Sequence, residues 1–155
     1  MATQTLIPSP AALADHAGAQ LGPSDWVAVT QERIDAFAGA TGDHQWIHCD
    51  VQRAQRESPW KGTIAHGYLT LSLTPVLLAQ LIAVGGCKAV INSGVEKLRL
   101  AAPVPSGARV RLHAVIRNVR GMPGGGVRVT FGLRMEVEGS AKPACTGDVV
   151  YVYLP

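Results

Sequence analysis

The feature that most constrains the fold of this chain is a long segment without any charged side chain. Residues 62–87 contain no Asp, Glu, Lys or Arg. The run is long enough to be tested as a transmembrane helix, which needs about 20 apolar residues. Polar side chains interrupt it, Pro75 lies in its middle, and no belt of charged residues anchors its ends. We therefore predict a buried helix over residues 67–83, with Gly85 and Gly86 ending it.

A different pattern follows the uncharged segment. Apolar and polar residues alternate in several runs, and a β-rich apolar run comes last. These four runs cover residues 95–100, 109–115, 127–135 and 149–153. Period-two alternation is typical of an antiparallel sheet with one buried face. One buried helix followed by four strands predicts an α+β fold in which the sheet wraps around the helix.

The length of 155 residues fits a single domain. Ala, Pro, Ser and Gly dominate the first part of the chain, which predicts a lead-in over residues 1–25 with a short helix near residues 11–17. The single domain is expected to occupy residues 26–155.

Two further helices are predicted ahead of the uncharged segment. Thr30 suits the N-cap of the first, and Gly39 and Gly42 are expected to end it. Asp50 suits the N-cap of the second, which is expected over about residues 51–56, before Ser58-Pro59. The connecting stretch, residues 41–50, is polar and irregular and carries two histidines.

The charge limits the possible partners, and the cysteines limit the possible cellular compartment. Basic residues outnumber acidic ones in the second half of the chain, but they are scattered singly, which favours a small anionic ligand over nucleic acid. The cysteines, Cys49, Cys87 and Cys145, are odd in number and lack a CxxC spacing, which argues for a reducing compartment. The N-terminus lacks a secretory pattern, so we expect a cytoplasmic protein with no membrane partner.

Asp43 and His48 are the first candidates for chemistry. Their spacing places them on a common face of neither a helix nor a strand, so they converge only if the intervening segment bends. A carboxylate and an imidazole that share one water form a general acid/base pair. The alternative, from spacing alone, is that Asp43 caps a helix end and His48 fills a polar gap.

The second candidate is the head of the uncharged helix, at Ala65-His66-Gly67-Tyr68. A helix start presents free N–H groups, and a residue without a side chain lets a ligand approach the backbone closely. An amide there would stabilise the oxyanion that develops on a thioester carbonyl. The alternative is a glycine required for tight packing where the loop enters the core.

Together the two motifs, TGDHQWIHCD and GTIAHGYLTLSL, resemble the hydratase motif of MaoC-like, (R)-specific enoyl-CoA hydratases, a family with the hot-dog fold. The matching positions are Thr41, Gly42, Asp43, Ile47, His48, Asp50, Ala65, His66 and Gly67. The resemblance extends from about Trp26 to Tyr153. Gln45 stands where the family usually has Asn, and Trp46 where it has Pro, which bears on the acyl-chain preference.

The resemblance implies reversible addition of water to a trans-2-enoyl thioester, giving an (R)-3-hydroxyacyl thioester. Asp43 and His48 would activate the water, and the Gly67 amide would polarise the thioester oxygen. It also implies a homodimer with the site near the subunit interface, and no cofactor. Substrate contacts are expected from Gln45, Trp46, His66, Tyr68, Asn92, Lys97 and Arg99. No metal is expected, because the HxxxH pair of His44 and His48 lacks a third ligand nearby in sequence.

Two other functions share the implied substrate class. A hot-dog thioesterase would hydrolyse the thioester, but such enzymes often carry an acidic residue on the central helix, and residues 67–83 contain none. A non-catalytic acyl-thioester-binding subunit would not depend on Asp43 or His48.

Overall fold

The structure is a computed structural model that describes residues 1–155, and it confirms the predicted α+β architecture. The helices are α1 (Gln31–Thr41), α2 (Trp46–Cys49), α3 (Val51–Glu57), α4 (Gly67–Ser72) and α5 (Thr74–Leu78). The strands are β1 (Thr5–Ile7), β2 (Gln20–Leu21), β3 (Val27–Ala28), β4 (Ile82–Val84), β5 (Ala89–Leu100), β6 (Arg109–Gly121), β7 (Val127–Val137) and β8 (Cys145–Leu154). Two 3-10 helices, Pro10–His16 and Pro123–Gly125, complete the chain.

The main sheet has the strand order β2-β6-β7-β8-β5, with β3 also paired to β6. The four predicted strands are confirmed as its long antiparallel members, each extending beyond its predicted bounds. Alternate residues of β6 and β7 are buried, as period-two alternation predicts. Their buried side chains form one core with α4 and α5, so the sheet curves around the central helices.

The central helix is shorter than predicted. Helical structure begins at Gly67 but breaks at Leu73 and ends at Leu78, so the predicted helix over residues 67–83 is wrong in its last third. Pro75 explains the break, because it lacks an N–H and its ring opposes a regular preceding turn. Residues 82–84 form β4, which pairs in parallel with β1.

Gly85 and Gly86 end a strand rather than a helix. The N–H of Gly85 donates to the carbonyl of Ile7 at 2.8 Å, and a Cβ there would lie 3.0 Å from the carbonyl oxygen of Pro8. Gly86 adopts a φ of 66°, which suits glycine. An apolar run cannot distinguish a buried helix from a buried strand by periodicity, and β4 was missed for that reason.

The segment before residue 26 shares the core of the domain. It supplies β1, β2 and the predicted short helix, which is a 3-10 helix over Pro10–His16. Leu13 and Ile7 from this segment belong to the main hydrophobic cluster. That residues 26–155 form the domain without it stays a prediction.

β5 is the open edge of the sheet and differs from the other long strands. Its alternating pattern predicts one buried face, yet none of its residues is buried in the single chain. Its large exposed apolar side chains are Val90, Ile91, Val95 and Leu100. No helix in the chain combines the length and apolar character that crossing a bilayer requires.

Candidate active site

The polar side of the site lies in the segment between β3 and α4, and local caps set its path. Thr30 Oγ1 accepts a hydrogen bond from the N–H of Arg33 at 3.3 Å and begins α1, as predicted. Gly42, with a φ of 80°, ends α1 in the left-handed conformation. The chain therefore leaves α1 through a sharp turn immediately before Asp43.

Two short helices follow that turn and position His48. The N–H of His48 donates to the carbonyl of Gln45 at 2.9 Å, which closes the first turn of α2. The Asp50 carboxylate accepts from the N–H of Arg53 at 2.9 Å and caps α3, as predicted. Because α1 and α2 are separate helices, the bend required between Asp43 and His48 is present.

Asp43 and His48 come together at this bend. A carboxylate oxygen of Asp43 and a ring nitrogen of His48 lie within 4.8 Å of each other. One water about 2.8 Å from each atom can bridge that separation. The Asp43 side chain is 55% exposed, whereas His48 is buried. The pair therefore joins a solvated carboxylate to an imidazole embedded in the protein.

A main-chain carbonyl fixes the His48 ring. His48 Nδ1 lies 2.6 Å from the carbonyl oxygen of Ile64, which only accepts, so Nδ1 carries the proton. In the neutral ring Nε2 is then free to accept a proton. The N–H of Ile64 donates to the carbonyl of Ile47 at 3.0 Å, which ties α2 to the segment entering α4. The backbone thus selects the tautomer that a general base needs.

A cavity of about 270 Å³ lies between His48 and Gly67. Its lining is mostly apolar and consists of His48, Trp60, Ile64, Ala65, Gly67, Thr70, Leu100, Ala101, Ala102, Pro103, Val104 and Ala144. Cavities of this kind, apolar with a few convergent polar groups, are typical of small-molecule sites. The His48 imidazole and the start of α4 therefore line the same cavity.

The geometry at Gly67 is compatible with both of the uses considered from sequence. Its N–H makes no hydrogen bond within the chain, so an amide donor is free at the start of α4. The Leu100 side chain occupies the space that a Cβ on Gly67 would fill. A larger residue would therefore disturb the packing and the approach of a ligand to the amide together.

Gln31 and Thr63 are contributors that the sequence did not indicate. Gln31 Nε2 donates to the carbonyl of His48 at 2.7 Å, and Gln31 Oε1 accepts from Thr63 Oγ1 at 2.5 Å. These bonds tie α1 both to α2 and to the segment before Gly67. Gln31 has the sequence appearance of an ordinary first-turn helix residue, and its partners are distant in sequence, so no local signal marks it.

Four predicted substrate contacts near the motifs, His66 among them, lie outside the cavity lining of the single chain. Gln45 is exposed, and its N–H lies 3.4 Å from the Asp43 carboxylate. The Trp46 ring packs against the guanidinium of Arg53 at 4.4 Å, facing α3. Tyr68 is exposed on the first turn of α4. Their roles toward substrate stay predictions.

The predicted contacts on β5 also lie outside the cavity, which only Leu100 of that strand lines. Asn92 is exposed and is paired with Tyr151 of β8. Lys97 occupies an irregularity in the strand, with a φ of 53° and its Nζ 3.6 Å from the Asp148 carboxylate. Arg99 is exposed one residue before Leu100. Lys97 is thus already engaged with a carboxylate, while Arg99 is free of ion pairs.

The structure supplies the third metal-ligand candidate that the sequence lacked. Asp43, His48 and His66 offer ligand atoms within 4.8 Å of one another. However, the two imidazoles are stacked, with centroids 3.9 Å apart and planes 27° apart. The lone pair of a ring nitrogen points outward in the plane of its ring. Because the two planes are nearly parallel, they meet at a line that lies much farther from the nitrogens than the roughly 2.1 Å of a metal–nitrogen bond. The arrangement suits a stacked pair better than a shared metal.

Cys49 lies next to His48 but is poorly suited to act as a nucleophile. Burial raises the pKa of its thiol, and the Asp35 and Asp43 carboxylates raise it further. A thiol is reactive mainly as the thiolate, which a raised pKa disfavours. Covalent chemistry through Cys49 is therefore not supported.

Comparisons with known proteins bear on the same region. Residues 13–136 match the family described as MaoC like domain. The chain is 49% identical over 146 residues to 3-hydroxyacyl-thioester dehydratase Z of Mycobacterium tuberculosis, covering 94% of this chain and 96% of that protein. It is 37% identical over 136 residues to nodulation protein N of Rhizobium leguminosarum bv. viciae, covering 87% and 84%.

A solved structure agrees with the fold. The (R)-hydratase of A. caviae involved in PHA biosynthesis superposes with a TM-score of 0.71 at 26% identity, over 90% of this chain and 96% of that one. The matched family region contains Asp43, His48 and Gly67, and of the residues that line the cavity only Ala144 lies outside that region.

Proposed function

Because this chain belongs to the MaoC-like domain family and has its hot-dog fold, we propose that it is an (R)-specific hydratase. It adds water reversibly to a trans-2-enoyl thioester and yields an (R)-3-hydroxyacyl thioester. The observation that carries this proposal is the convergence of Asp43 and His48 within one-water distance, beside a cavity that also exposes the Gly67 amide. The relative named as a 3-hydroxyacyl-thioester dehydratase supports the same reaction class.

The reaction uses the three groups in a fixed order. A water held by the Asp43 carboxylate and His48 Nε2 gives one proton to this pair while its oxygen bonds to the β-carbon. Electron density moves onto the thioester oxygen, where the Gly67 N–H stabilises it. The pair then returns one proton to the α-carbon, so that one water is added and no group leaves. General acid/base catalysis contributes typically about 10²–10⁴-fold in rate, and an oxyanion donor about 10²–10³-fold.

The test uses crotonyl-CoA and monitors the conjugated double bond and free thiol together. The proposal predicts loss of the double bond without thiol release, and formation of the (R)-3-hydroxy product. Asp43→Asn and His48→Ala are expected to lower kcat strongly while binding of butyryl-CoA, which cannot be hydrated, is retained. Thiol release would instead support a thioesterase, and unchanged behaviour of both variants would support a non-catalytic binding subunit.

The thioesterase alternative gains no support from the central helices. Residues 67–78, which form α4 and α5, contain no Asp or Glu. A hydratase and a thioesterase would both act on acyl thioesters, so the product analysis decides between these two functions.

A homodimer through β5 is part of the proposal. β5 is a long open edge whose exposed apolar side chains include Ile91 and Val95. Open edges of this kind pair with other strands unless something covers them. Light scattering is expected to give twice the chain mass, and Ile91→Lys is expected to give a monomer. Leu6→Lys, at an exposed site on β1, is the matched control and should stay dimeric. A wild-type monomer that assembles only with a different chain would contradict the homodimer.

Substrate contacts from Gln45, Trp46, Tyr68, Asn92, Lys97 and Arg99 remain part of this proposal. Arg99 is the better-placed candidate for the nucleotide phosphates, since Lys97 is engaged with Asp148. Arg99→Ala is then expected to raise KM for the CoA thioester more than Lys97→Ala does. The cytoplasm is the compartment that the three free thiols favour.

A further inference from the structure

His66 contacts both halves of the proposed catalytic pair. It is the N-cap residue of α4, its side chain is 3% exposed, and it does not line the cavity. Its ring stacks on the ring of His48 with centroids 3.9 Å apart. Its Nε2 lies 2.9 Å from the main-chain carbonyl oxygen of Asp43. One buried side chain thus touches the imidazole and holds the residue that carries the carboxylate.

The hydrogen bond fixes which nitrogen of His66 carries a proton. A carbonyl oxygen only accepts, so Nε2 is the donor. Nδ1 is buried with no hydrogen-bond partner. His66 therefore acts through Nε2, as a hydrogen-bond donor to the Asp43 carbonyl.

The packing around the ring explains why an aromatic residue stands here. His66 lies between His48 of α2 and Phe37 of α1, the latter with a centroid distance of 4.9 Å. The carbonyl of Ile64 fixes the His48 ring in its plane, and the His66 ring covers one face. Together these contacts leave the His48 imidazole little freedom to rotate. The hydrogen bond from His66 also holds the main chain of Asp43, although the Asp43 carboxylate is largely solvated.

We propose that His66 is a positioning residue that sets the separation and orientation of Asp43 and His48, rather than the substrate contact that the motif suggested. This inference rests on the proposed hydratase function. It predicts an effect on kcat with little effect on substrate binding, because His66 lies outside the cavity. Misplacing reacting groups by about 1 Å can cost on the order of 10²-fold in rate.

Three variants separate the stacking from the hydrogen bond. His66→Ala removes both contacts, His66→Phe keeps a stacked ring without the donor, and His66→Gln places an amide donor near the position of Nε2. We expect kcat for crotonyl-CoA to fall about 10- to 100-fold in the Ala variant and less in the Phe variant. The Gln variant should recover most of the lost kcat. KM, and the Kd for butyryl-CoA, should change by less than about threefold in all three.

The outcomes are distinguishable from failure of the proposed function. A wild-type protein without hydratase activity contradicts the proposed function. An active wild-type protein whose Ala variant keeps its kcat contradicts the positioning role alone. A raised KM and weaker butyryl-CoA binding with unchanged kcat would instead make His66 a substrate contact. Circular dichroism and Tm for each variant identify loss of folding, and the Phe variant, which keeps a buried ring, provides the kcat measurement if the Ala variant does not fold.

Discussion

The candidate catalytic segment, residues 31–67, and the sheet that supports it differ in the balance of the contacts that hold them. β6, β7 and β8 pack apolar side chains against α4 and α5, and Phe131 and Leu112 there are fully buried. The segment from α1 to the start of α4 also buries apolar side chains, such as Ile34 and Ala65, but hydrogen bonds to the main-chain carbonyls of His48, Ile64 and Asp43 tie its parts together as well. Apolar packing is strong and weakly directional, whereas hydrogen bonds are weaker and set distances. Substitutions in the sheet should therefore affect stability, and those in the catalytic segment should affect rate.

The largest stability effect is expected in the sheet. Phe131 is fully buried on β7 and packs edge-on against Tyr151, with ring centroids 5.9 Å apart. Phe131→Ala should lower the free energy of unfolding by about 3–5 kcal/mol. Urea denaturation measures this loss, and kcat of the folded fraction should stay near the wild-type value. The exposed Val76→Ala is the control, and a large loss of kcat in folded Phe131→Ala would break the contrast between the regions.

The next effect is expected where the two regions meet, at Gly67. A Cβ there would collide with the side chain of Leu100, so Gly67→Ala must displace that side chain or the start of α4. We expect kcat/KM to fall on the order of 10²-fold, as for loss of an oxyanion donor. Leu100→Ala combined with Gly67→Ala should recover part of this loss. If the double variant is no better than the single one, the collision is not the cause.

A smaller rate effect is expected from the link between Gln31 and Thr63. Thr63→Val removes only the bond between Oε1 and Oγ1, whereas Gln31→Met also removes the bond from Nε2 to the His48 carbonyl; both keep the side-chain size. Each should lower kcat by roughly 3- to 30-fold with a small change in Tm. Thr63→Ser keeps the hydroxyl and should retain activity, and Gln52→Met, on the exposed face of α3, should have no effect. If Tm falls and kcat does not, the link contributes to stability, as the sheet does, and not to the rate.

The smallest effect concerns a polar cluster that spans β6 and β7, away from the cavity. Hydrogen bonds from Arg111 and then from His113 lower the pKa of Glu136 to about 2. A depressed carboxyl pKa stabilises the fold above the unfolded value near 4.5, and this contribution is lost as the pH falls toward 2. Glu136→Gln should therefore cost about 1–2 kcal/mol at neutral pH, a cost that shrinks in acid. Urea titrations at several pH values measure this stability cost, and kcat at neutral pH should not change. If the cost is the same at every pH, it does not come from the ionised carboxylate.

The sequence predicted the sheet better than the helix it surrounds. Alternation identified β6 and β7, because one face of each strand is buried and the other is exposed. The uncharged segment gave no such contrast, so the break at Leu73 and the strand β4 were missed. The exposure of β5 was missed because alternation shows that a strand has one apolar and one polar face. It does not show whether the same chain covers the apolar face.

The candidate site was predicted in its parts but not in its connections. The sequence predicted the features that depend on neighbouring residues, namely the cap at Thr30, the turn at Gly42 and the cap at Asp50. The bonds from Gln31 to His48 and from His66 to Asp43 join residues 17 and 23 positions apart. No local pattern encodes such contacts, which depend on how the whole segment folds onto α4.

The most direct test of the account is the kcat of the double variant Asp43→Asn/His48→Ala, compared with that of each single variant. If the carboxylate and the imidazole act on one water, removing either already disables it, so the double variant should be about as slow as the slower single variant. If the two losses multiply, the groups act independently, and the shared-water mechanism is contradicted.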